Sequence, residues 1–567
     1  MTIRNLSFLF QPRSLALVGA TCEPNSVTAV VGRNIVAAGF GGERFLIIPG
    51  KDTVAGFACY RGISNLPKPP DLAVITSPVG TVPGILAELG GLGTKAAVVI
   101  ASGLERGEDG TIGGAAAAML QAAQPHLLRI IGPGSLGVMA PMARLNAGLA
   151  PVQPLTGNLA FVAQSGAVLT AVLDWATARG IGFSHLVSLG DMIDVDFGDM
   201  LDYLAGDPGT QAILLYMEAI THPRKFMSAA RAAARVKPVM VLKGGRHPEA
   251  SRASHCHTGR PAGADAVYHA AFRRAGMLRV DDIQELFAAV GTLATTRQVS
   301  GERLAILTNG GGIGVLAADA LMDGGGCLSA LSSDSIARLN AVLPPSWSHG
   351  NPLDIGGDAP AGRYADALEV LLGDDGADAV LVVNCPNAVA PGAEAARAVI
   401  DRIKQCMLKG KAKPVFTSWL GDGSAADARQ LFAENRIPTY GTPGEAVRGF
   451  MQVVRFRRNQ ELLMQTPPSI PESFTPHVKK ARAIVEGALA EGRSDLGESE
   501  VAKVLAAYDI PVTETLRAAS AEELPVSRRR HAREPGTAPP DNKVSTTPGR
   551  HSRMFLAGSQ EKSLDAR

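Results

Sequence analysis

Apolar residues come in short unbroken runs separated by stretches of helical spacing. In the first part of the chain, about residues 1–145, the runs are Ser14–Val18, Phe45–Ile48, Leu72–Ile75, Ala96–Ile100 and Arg129–Ile131. Helical spacing intervenes, as in Val82–Leu92 and in the segment from about Ser26. Runs this short, without alternation, fit strands covered on both faces. Strand and helix in turn predict a doubly wound parallel sheet.

From about residue 155 to 460 the pattern repeats itself. Leu159–Gly166 and Leu304–Gly312 are each a strand with a glycine turn before a helix. Ser188–Asp194 is echoed by Gly350–Ile355, Ala212–Met217 by Ala379–Asn384, and Lys237–Leu242 by Lys413–Ser418. The common order predicts two copies of one flavodoxin-like unit. In this alignment Glu218 of the first copy corresponds to Cys385 of the second, and only the first copy carries the loop of His257.

The expected organisation is a Rossmann-like domain over 1–145, flavodoxin-like domains over 150–295 and 300–460, and a linker over 461–490 containing the Pro-rich stretch Thr466–Pro471. A short module over 491–520 includes the amphipathic segment Glu498–Ala507, and 521–567 is expected to be disordered. That tail contains Arg528–Arg530 and several prolines but few large apolar residues to bury.

Composition narrows the class. The chain has 567 residues, 46% hydrophobic but only 5% aromatic, and is rich in Gly, as close helix–sheet packing requires. A net charge of +2 gives no reason to expect a nucleic-acid surface. The six cysteines are scattered without a CxxC pair, which fits a reducing compartment. No signal pattern opens the chain, and no apolar run reaches the roughly 18 residues of a membrane span. The expectation is a cytoplasmic protein with no membrane contact.

Three places carry candidate chemistry. The turn after the first strand, Gly19, Ala20 and Thr21 up to Ser26, would aim backbone N–H groups and a helix start at a phosphate. It is not GxGxxG, and Lys51 stands near the end of the second strand where an NAD site would want an acid. Lys51 suits the 3′-phosphate of coenzyme A; the alternative is a plain structural turn. Gln164, Ser165 and Gly166, and Asn309 with Gly310, Gly311 and Gly312, sit between strand and helix. If the two helix starts face one another they form a phosphate socket; each alone is common in α/β folds. His257 lies in a Gly- and Pro-containing loop that denies it regular structure. Imidazole accepts a phosphoryl group on one nitrogen while the other donates to a carboxylate, for which Glu218 is the candidate. The alternatives are a solvated histidine and a zinc site with His247, His255, Cys256 and His269, although no metal-type spacing is present.

Together these residues resemble the NDP-forming acyl-CoA synthetases (acetate–CoA ligase, ADP-forming), of the succinyl-CoA synthetase superfamily. The resemblance spans about residues 8 to 518, and its most specific part is Cys256–Asp265, similar to the family's S-H-T-G-A-L-A-G-S-D loop. It implies a phosphohistidine at His257 oriented by Glu218, and phosphate held at Ser165–Gly166 and Gly310–Gly312. It further implies CoA contacts from Gly19–Thr21, from Pro49, Gly50 and Lys51, and from the turn Ile100, Ala101 and Ser102. The implied reaction joins a carboxylic acid to CoA at the expense of a nucleoside triphosphate, through an acyl phosphate.

The chain departs from the family at Cys256, at Arg260–Pro261 and at Gly134–Ser135. After an opening that resembles an ATP-grasp domain, with Tyr508–Val512 as its Y-x-I-P-V, the rest of that domain is not recognisable, and the end looks frame-shifted or otherwise aberrant. ATP or ADP and Mg²⁺ would bind only through such a domain, so the nucleotide step is expected either to be lost or to be supplied by a separate ATP-grasp subunit, and a homo- or hetero-oligomer is expected. Other readings are a CoA-binding protein without ligase activity, a lysine acetyltransferase relative, for which no acetyltransferase domain is visible, and an NAD(P) dehydrogenase.

Overall fold

The computed structural model describes residues 3–21, 23–48, 53–54, 56–103, 113–252, 263–296, 299–410, 413–465 and 476–512. His257, Lys51, Pro49, Gly50, Cys22, Cys256, the Arg260–Pro261 pair and the expected disordered tail over 521–567 lie outside the described residues. The chain divides into a compact unit Met1–Gln465 and a second unit Thr466–Arg567. Among the described residues no helix is long and apolar enough to cross a membrane.

Among the described residues the first unit holds three sheets. β1 (Ser14–Val18), β2 (Glu43–Ile47), β3 (Thr53–Val54), β4 (Phe57–Tyr60), β5 (Leu72–Ile75), β6 (Ala96–Val99) and β7 (Arg129–Ile131) form the first. Their order is β3-β4-β2-β1-β5-β6-β7. Only the β3–β4 pair is antiparallel. β1, β5 and β6 are buried at every position, which is why their apolar runs do not alternate. The chain winds outward from β1 to β2 on one side and to β5 on the other. A crevice therefore opens beyond the carboxyl ends of β1 and β5, the usual ligand position in such sheets.

The second sheet contains β8 (Gly137–Ala140), β9 (Leu145–Gly148), β10 (Thr156–Ala163), β11 (Phe183–Ser188), β12 (Ala212–Met217), β13 (Val239–Lys243) and β14 (Leu278–Val280), in the order β14-β13-β12-β10-β11-β8-β9. The third contains β15 (Arg303–Thr308), β16 (Cys327–Leu328), β17 (Leu353–Asp354), β18 (Ala379–Asn384), β19 (Val415–Trp419) and β20 (Thr439–Tyr440). Its order is β16-β15-β18-β19-β20, with β17 also against β15. With β10 matched to β15 and β12 to β18, the parallel cores of the two sheets share one strand order, as the internal repeat predicts.

Two boundaries differ from expectation. The β8–β9 hairpin belongs to the second sheet, because β8 pairs antiparallel with β11 at Leu186↔Met139 and Val187↔Val138. A division at residue 145 would cut that hairpin. The helix Pro443–Met464 runs past the expected start of the linker at 461; a capping box from Thr442 and Glu445, with a proline in its first turn, starts it. In the second unit, helices Val478–Ala490 and Glu498–Ala506 contact each other, and Arg493 pairs with Glu500 at 2.8 Å.

One hydrophobic core runs continuously from Leu15, Leu17 and Val74 through Val138 to Val162, Leu215, Phe226 and Phe272. The first two sheets therefore share packing. They also share charge: Arg129 on β7 pairs with Asp194 at 2.9 Å and with Asp199 at 3.2 Å.

Candidate active site

The turn after β1 is shaped by what surrounds Gly19. A Cβ at this position would lie 2.3 Å from Thr28 Oγ1 and 2.9 Å from Thr76 Oγ1, two hydroxyls that hydrogen-bond to each other at 2.8 Å. Only glycine fits. Ala20 and Thr21 then emerge exposed at the crevice, and Ser26 starts the helix Val27–Ala37 by accepting from Ala29 N–H. Thr21 Oγ1 accepts from Glu23 N–H at 3.2 Å, which holds the turn open. Ile100, Ala101 and Ser102 leave the end of β6 on the same carboxyl edge; Ile100 is buried, and Ser102 is exposed. Beside the helix a cavity of about 430 Å³ is lined by Leu17, Pro24, Thr28, Val36 and Phe57. Gly19→Ala is expected to cost about 1–3 kcal/mol by overpacking, read by thermal unfolding. A variant with wild-type stability would show that the turn has room.

Ser135, where the family pattern has Cys, is fully buried; it donates to Ser188 O at 2.5 Å and accepts from Gly137 N–H at 2.9 Å. That is a structural use, locking the hairpin to β11.

The second sheet brings Gln164, Ser165, Gly166 and Glu218 together. Gln164 follows β10 and Glu218 follows β12, neighbouring strands with Ala163 level with Tyr216. Gln164 Oε1 accepts from Glu218 N–H at 2.9 Å and from Ala219 N–H at 3.0 Å. Its side chain therefore fixes the backbone from which Glu218 projects. Tyr216 Oη donates to Glu218 Oε1 at 3.3 Å; burial, then the carboxylate itself, raises the phenol pKa and keeps it a donor. Ser165 is the N-cap of the helix Gly166–Thr177. A Cβ on Gly166 would fall 2.2 Å from Leu136 Cγ, so the helix starts hard against the hairpin strand.

The third sheet repeats the device. Asn309 Oδ1 accepts from Cys385 N–H at 2.7 Å and Asn309 Nδ2 donates to Cys385 O at 3.0 Å. Cys385 thus stands where Glu218 stands in the first copy; burial raises its thiol pKa. Gly310 is the N-cap of the helix Gly311–Asp323, and a Cβ on Gly310 would lie 2.6 Å from Cys385 Sγ. A Cβ on Gly311 would lie 2.7 Å from Asp354 Oδ2, whereas Gly312 has open space. Sequence reasoning names no acid at this helix start, yet Asp354 is beside it. A carboxylate there already uses part of the positive end of the helix.

Lys243 also escapes the sequence reading. It ends β13, is 2% exposed, and its Nζ lies 4.6 Å over the ring of Tyr268. Burial lowers its pKa to about 8, against the raising effect of Asp265 and Glu218. The only signal in the sequence is a lysine closing an otherwise apolar strand. Among the described residues no group of three or more His, Cys, Asp or Glu is arranged to hold a metal ion.

Residues 13–141 match the model of a CoA binding domain, 156–293 that of a succinyl-CoA ligase like flavodoxin domain, and 304–477 that of a ligase-CoA domain. That succession defines a CoA ligase of the nucleoside-diphosphate-forming class. Among relatives, acetate–CoA ligase [ADP-forming] I of Archaeoglobus fulgidus is 34% identical over 89% of this chain and 71% of its own length. Acetate–CoA ligase [ADP-forming] I subunit alpha of Pyrococcus furiosus is 34% identical over 80% of this chain and 98% of its own length. A solved structure of Ca. Korarchaeum cryptofilum dinucleotide forming acetyl-coenzyme A synthetase 1, in complex with phosphate and ADP, superposes with a TM-score of 0.71 at 33% identity. It covers 82% of this chain and 99% of that one. The chain belongs to the ADP-forming acetate–CoA ligase family of acyl-CoA synthetases, and is an acid–thiol ligase.

Proposed function

We propose that the protein interconverts a carboxylic acid and its acyl-CoA through an acyl phosphate and a phosphohistidine at His257. Inorganic phosphate attacks the thioester carbonyl, the C–S bond breaks, and CoA leaves as the thiol. His257 then attacks phosphorus, the acyl carboxylate leaves, and phosphohistidine remains. A nucleoside diphosphate takes the phosphoryl group to regenerate the imidazole; synthesis of acyl-CoA runs the same steps backward.

The observation that carries this reading is the Gln164 bracket. It sets Glu218, buried to 5% exposure, at the carboxyl edge of the second sheet beside the start of the helix Gly166–Thr177. An ionised carboxylate there suits an imidazole N–H, and helix-start N–H groups suit the transferring phosphoryl charge. Gly19–Thr21, Ile100–Ser102 and Lys51 are proposed as CoA contacts, and Ser165–Gly166 with Gly310–Gly312 as the phosphate socket.

The nucleotide and its Mg²⁺ are assigned to an ATP-grasp module, with a separate ATP-grasp subunit as the proposed partner. Supporting this, the chain spans nearly all of a relative named as a subunit alpha but 71% and 72% of two others. Acetate is the first acid to try, because several relatives are acetate ligases.

The test is incubation of the full chain with acetyl-CoA and labelled phosphate. An acid-labile, base-stable protein label is expected; its absence, with CoA still bound, favours a CoA-binding protein without ligase activity. For the cofactor site, calorimetry should show CoA binding that weakens with dephospho-CoA and, to the same degree, in Lys51→Ala. Equal affinity for CoA and dephospho-CoA removes Lys51 from the 3′-phosphate.

A further inference from the structure

Lys243 is placed where a lysine is expensive to keep. The last residue of β13, it is level with Met217 of β12 and so points to the same sheet face, the one covered by the helix Asp265–Arg274. It is 2% exposed. Its ammonium donates to the carbonyl of Gly244 and lies 4.6 Å over the Tyr268 ring, and no ion pair is recorded for it among the described residues. Asp265 is committed elsewhere, in a bidentate pair with Arg279 at 2.8 and 3.0 Å. A buried cation with no direct carboxylate partner among the described residues is costly to the fold. A methionine would fill that space without the penalty.

The groups around it explain its use. Tyr268 Oη accepts from Ile220 N–H at 3.2 Å, two residues beyond Glu218. Gly244, next to Lys243, has no room for a Cβ, which would sit 2.8 Å from Tyr216 Oη and 3.4 Å from Glu218 Cγ. Lys243 therefore links the elements that flank the segment containing His257: it ends β13, which precedes that segment, and lies against the helix Asp265–Arg274, which follows it. The same two elements bear on the backbone and side chain of Glu218.

We infer that Lys243 is a positioning residue for phosphoryl transfer, its ammonium holding the first turn of the Asp265–Arg274 helix, through Tyr268, against the Ile220 turn that carries Glu218. The inference rests on the phosphohistidine reading. Among the described residues, the charged and titratable groups facing Lys243 are Asp265 and Tyr268 from the helix, Glu218 from the β12 end, and Arg279 from β14. The carboxylates favour the ammonium and Arg279 opposes it, while burial brings its pKa down to about 8. The working form is the cation, so its contribution fades as pH rises through about 8.

The experiment compares wild type, Lys243→Met, Lys243→Arg and Tyr268→Phe as full chains. Two quantities are read between pH 6.5 and 9.5: the initial rate of protein labelling from acetyl-CoA and labelled phosphate, and Tm. Lys243→Met is expected to label about 10-fold slower or worse at pH 7, with a Tm no lower than wild type, and to lack the fall in rate that wild type shows above pH 8. Lys243→Arg keeps its charge and should lose only that alkaline fall. Tyr268→Phe, which keeps the ring but loses the acceptor for Ile220 N–H, should also label slowly. A Lys243→Met rate equal to wild type, or a loss that tracks a lowered Tm, overturns the inference, as does wild-type labelling by Tyr268→Phe should Lys243→Met fail to fold. A wild-type chain that takes no label at any pH overturns the phosphohistidine reading and this inference with it.

Discussion

His257→Ala is expected to abolish the acid-labile, base-stable phosphate label that the wild-type chain is expected to acquire from acetyl-CoA and labelled phosphate, whereas His255→Ala should retain it. The expectation follows from the side of the site the structure describes. Glu218 is fixed by two backbone hydrogen bonds to Gln164 and one from Tyr216, and can hold one ring nitrogen of an imidazole while the other meets phosphorus. Replacing the carboxylate by its amide removes the charge that stabilises the cationic imidazole. Glu218→Gln should therefore keep CoA affinity and slow labelling by roughly 10²- to 10⁴-fold. Scintillation counting of the acid- and base-treated protein, with mass spectrometry of the peptide spanning 253–262, checks both. Label that survives in His257→Ala rejects the assignment. A Glu218→Gln variant labelling at the wild-type rate would leave Glu218 as a strand-end acid.

Much of this geometry is legible along the chain, for a reason specific to parallel sheets. Strands such as Leu72–Ile75, Ala212–Met217 and Ala379–Asn384 are buried on both faces, so the apolar run and the strand begin and end together. The residue after each run then lies at the carboxyl edge, where ligands bind, which is how Gly19, Glu218 and Cys385 can be singled out. The β8–β9 hairpin is different. Gly137–Ala140 and Leu145–Gly148 have no periodicity of their own and become strands only by pairing with each other and with β11. β13 is displaced toward its carboxyl end, Val239–Lys243 against an expected Lys237–Leu242, because Lys243 breaks the apolar run while remaining buried in the sheet. Partners distant in sequence are equally invisible: Gln164 meets Glu218 across 54 residues, and Gly311 meets Asp354 only because β17 returns alongside β15. Residue types mark the candidates; hydrogen bonds between strand ends say what each one holds.

The second large effect tests that distinction. Gln164 is 5% exposed, and its Oε1 accepts from the N–H groups of Glu218 and Ala219, both buried. Gln164→Leu nearly preserves volume and leaves those two donors without their acceptor. Each buried donor left unpaired costs about 1–3 kcal/mol, so a loss of about 2–6 kcal/mol is expected, partly recovered where water enters. If Gln164 served only the fold, activity would follow the folded fraction and return on cooling or with a stabilising ligand such as CoA. If it sets the direction of Glu218, the fully folded variant still labels His257 at least 10-fold more slowly, because an imidazole partner displaced by about 1 Å forfeits rate on that scale or more. The equivalent change in the third sheet, Asn309→Leu, removes the acceptor for Cys385 N–H and the donor to Cys385 O, a comparable loss of hydrogen bonding. Yet it brackets a thiol rather than the carboxylate. Denaturant unfolding of both variants, paired with labelling rates under conditions where each is fully folded, separates the two roles. The expected result is similar destabilisation with a much larger rate loss for Gln164→Leu. Equal rate losses would mean that the bracket serves packing in both sheets and that Glu218 is aimed by something else.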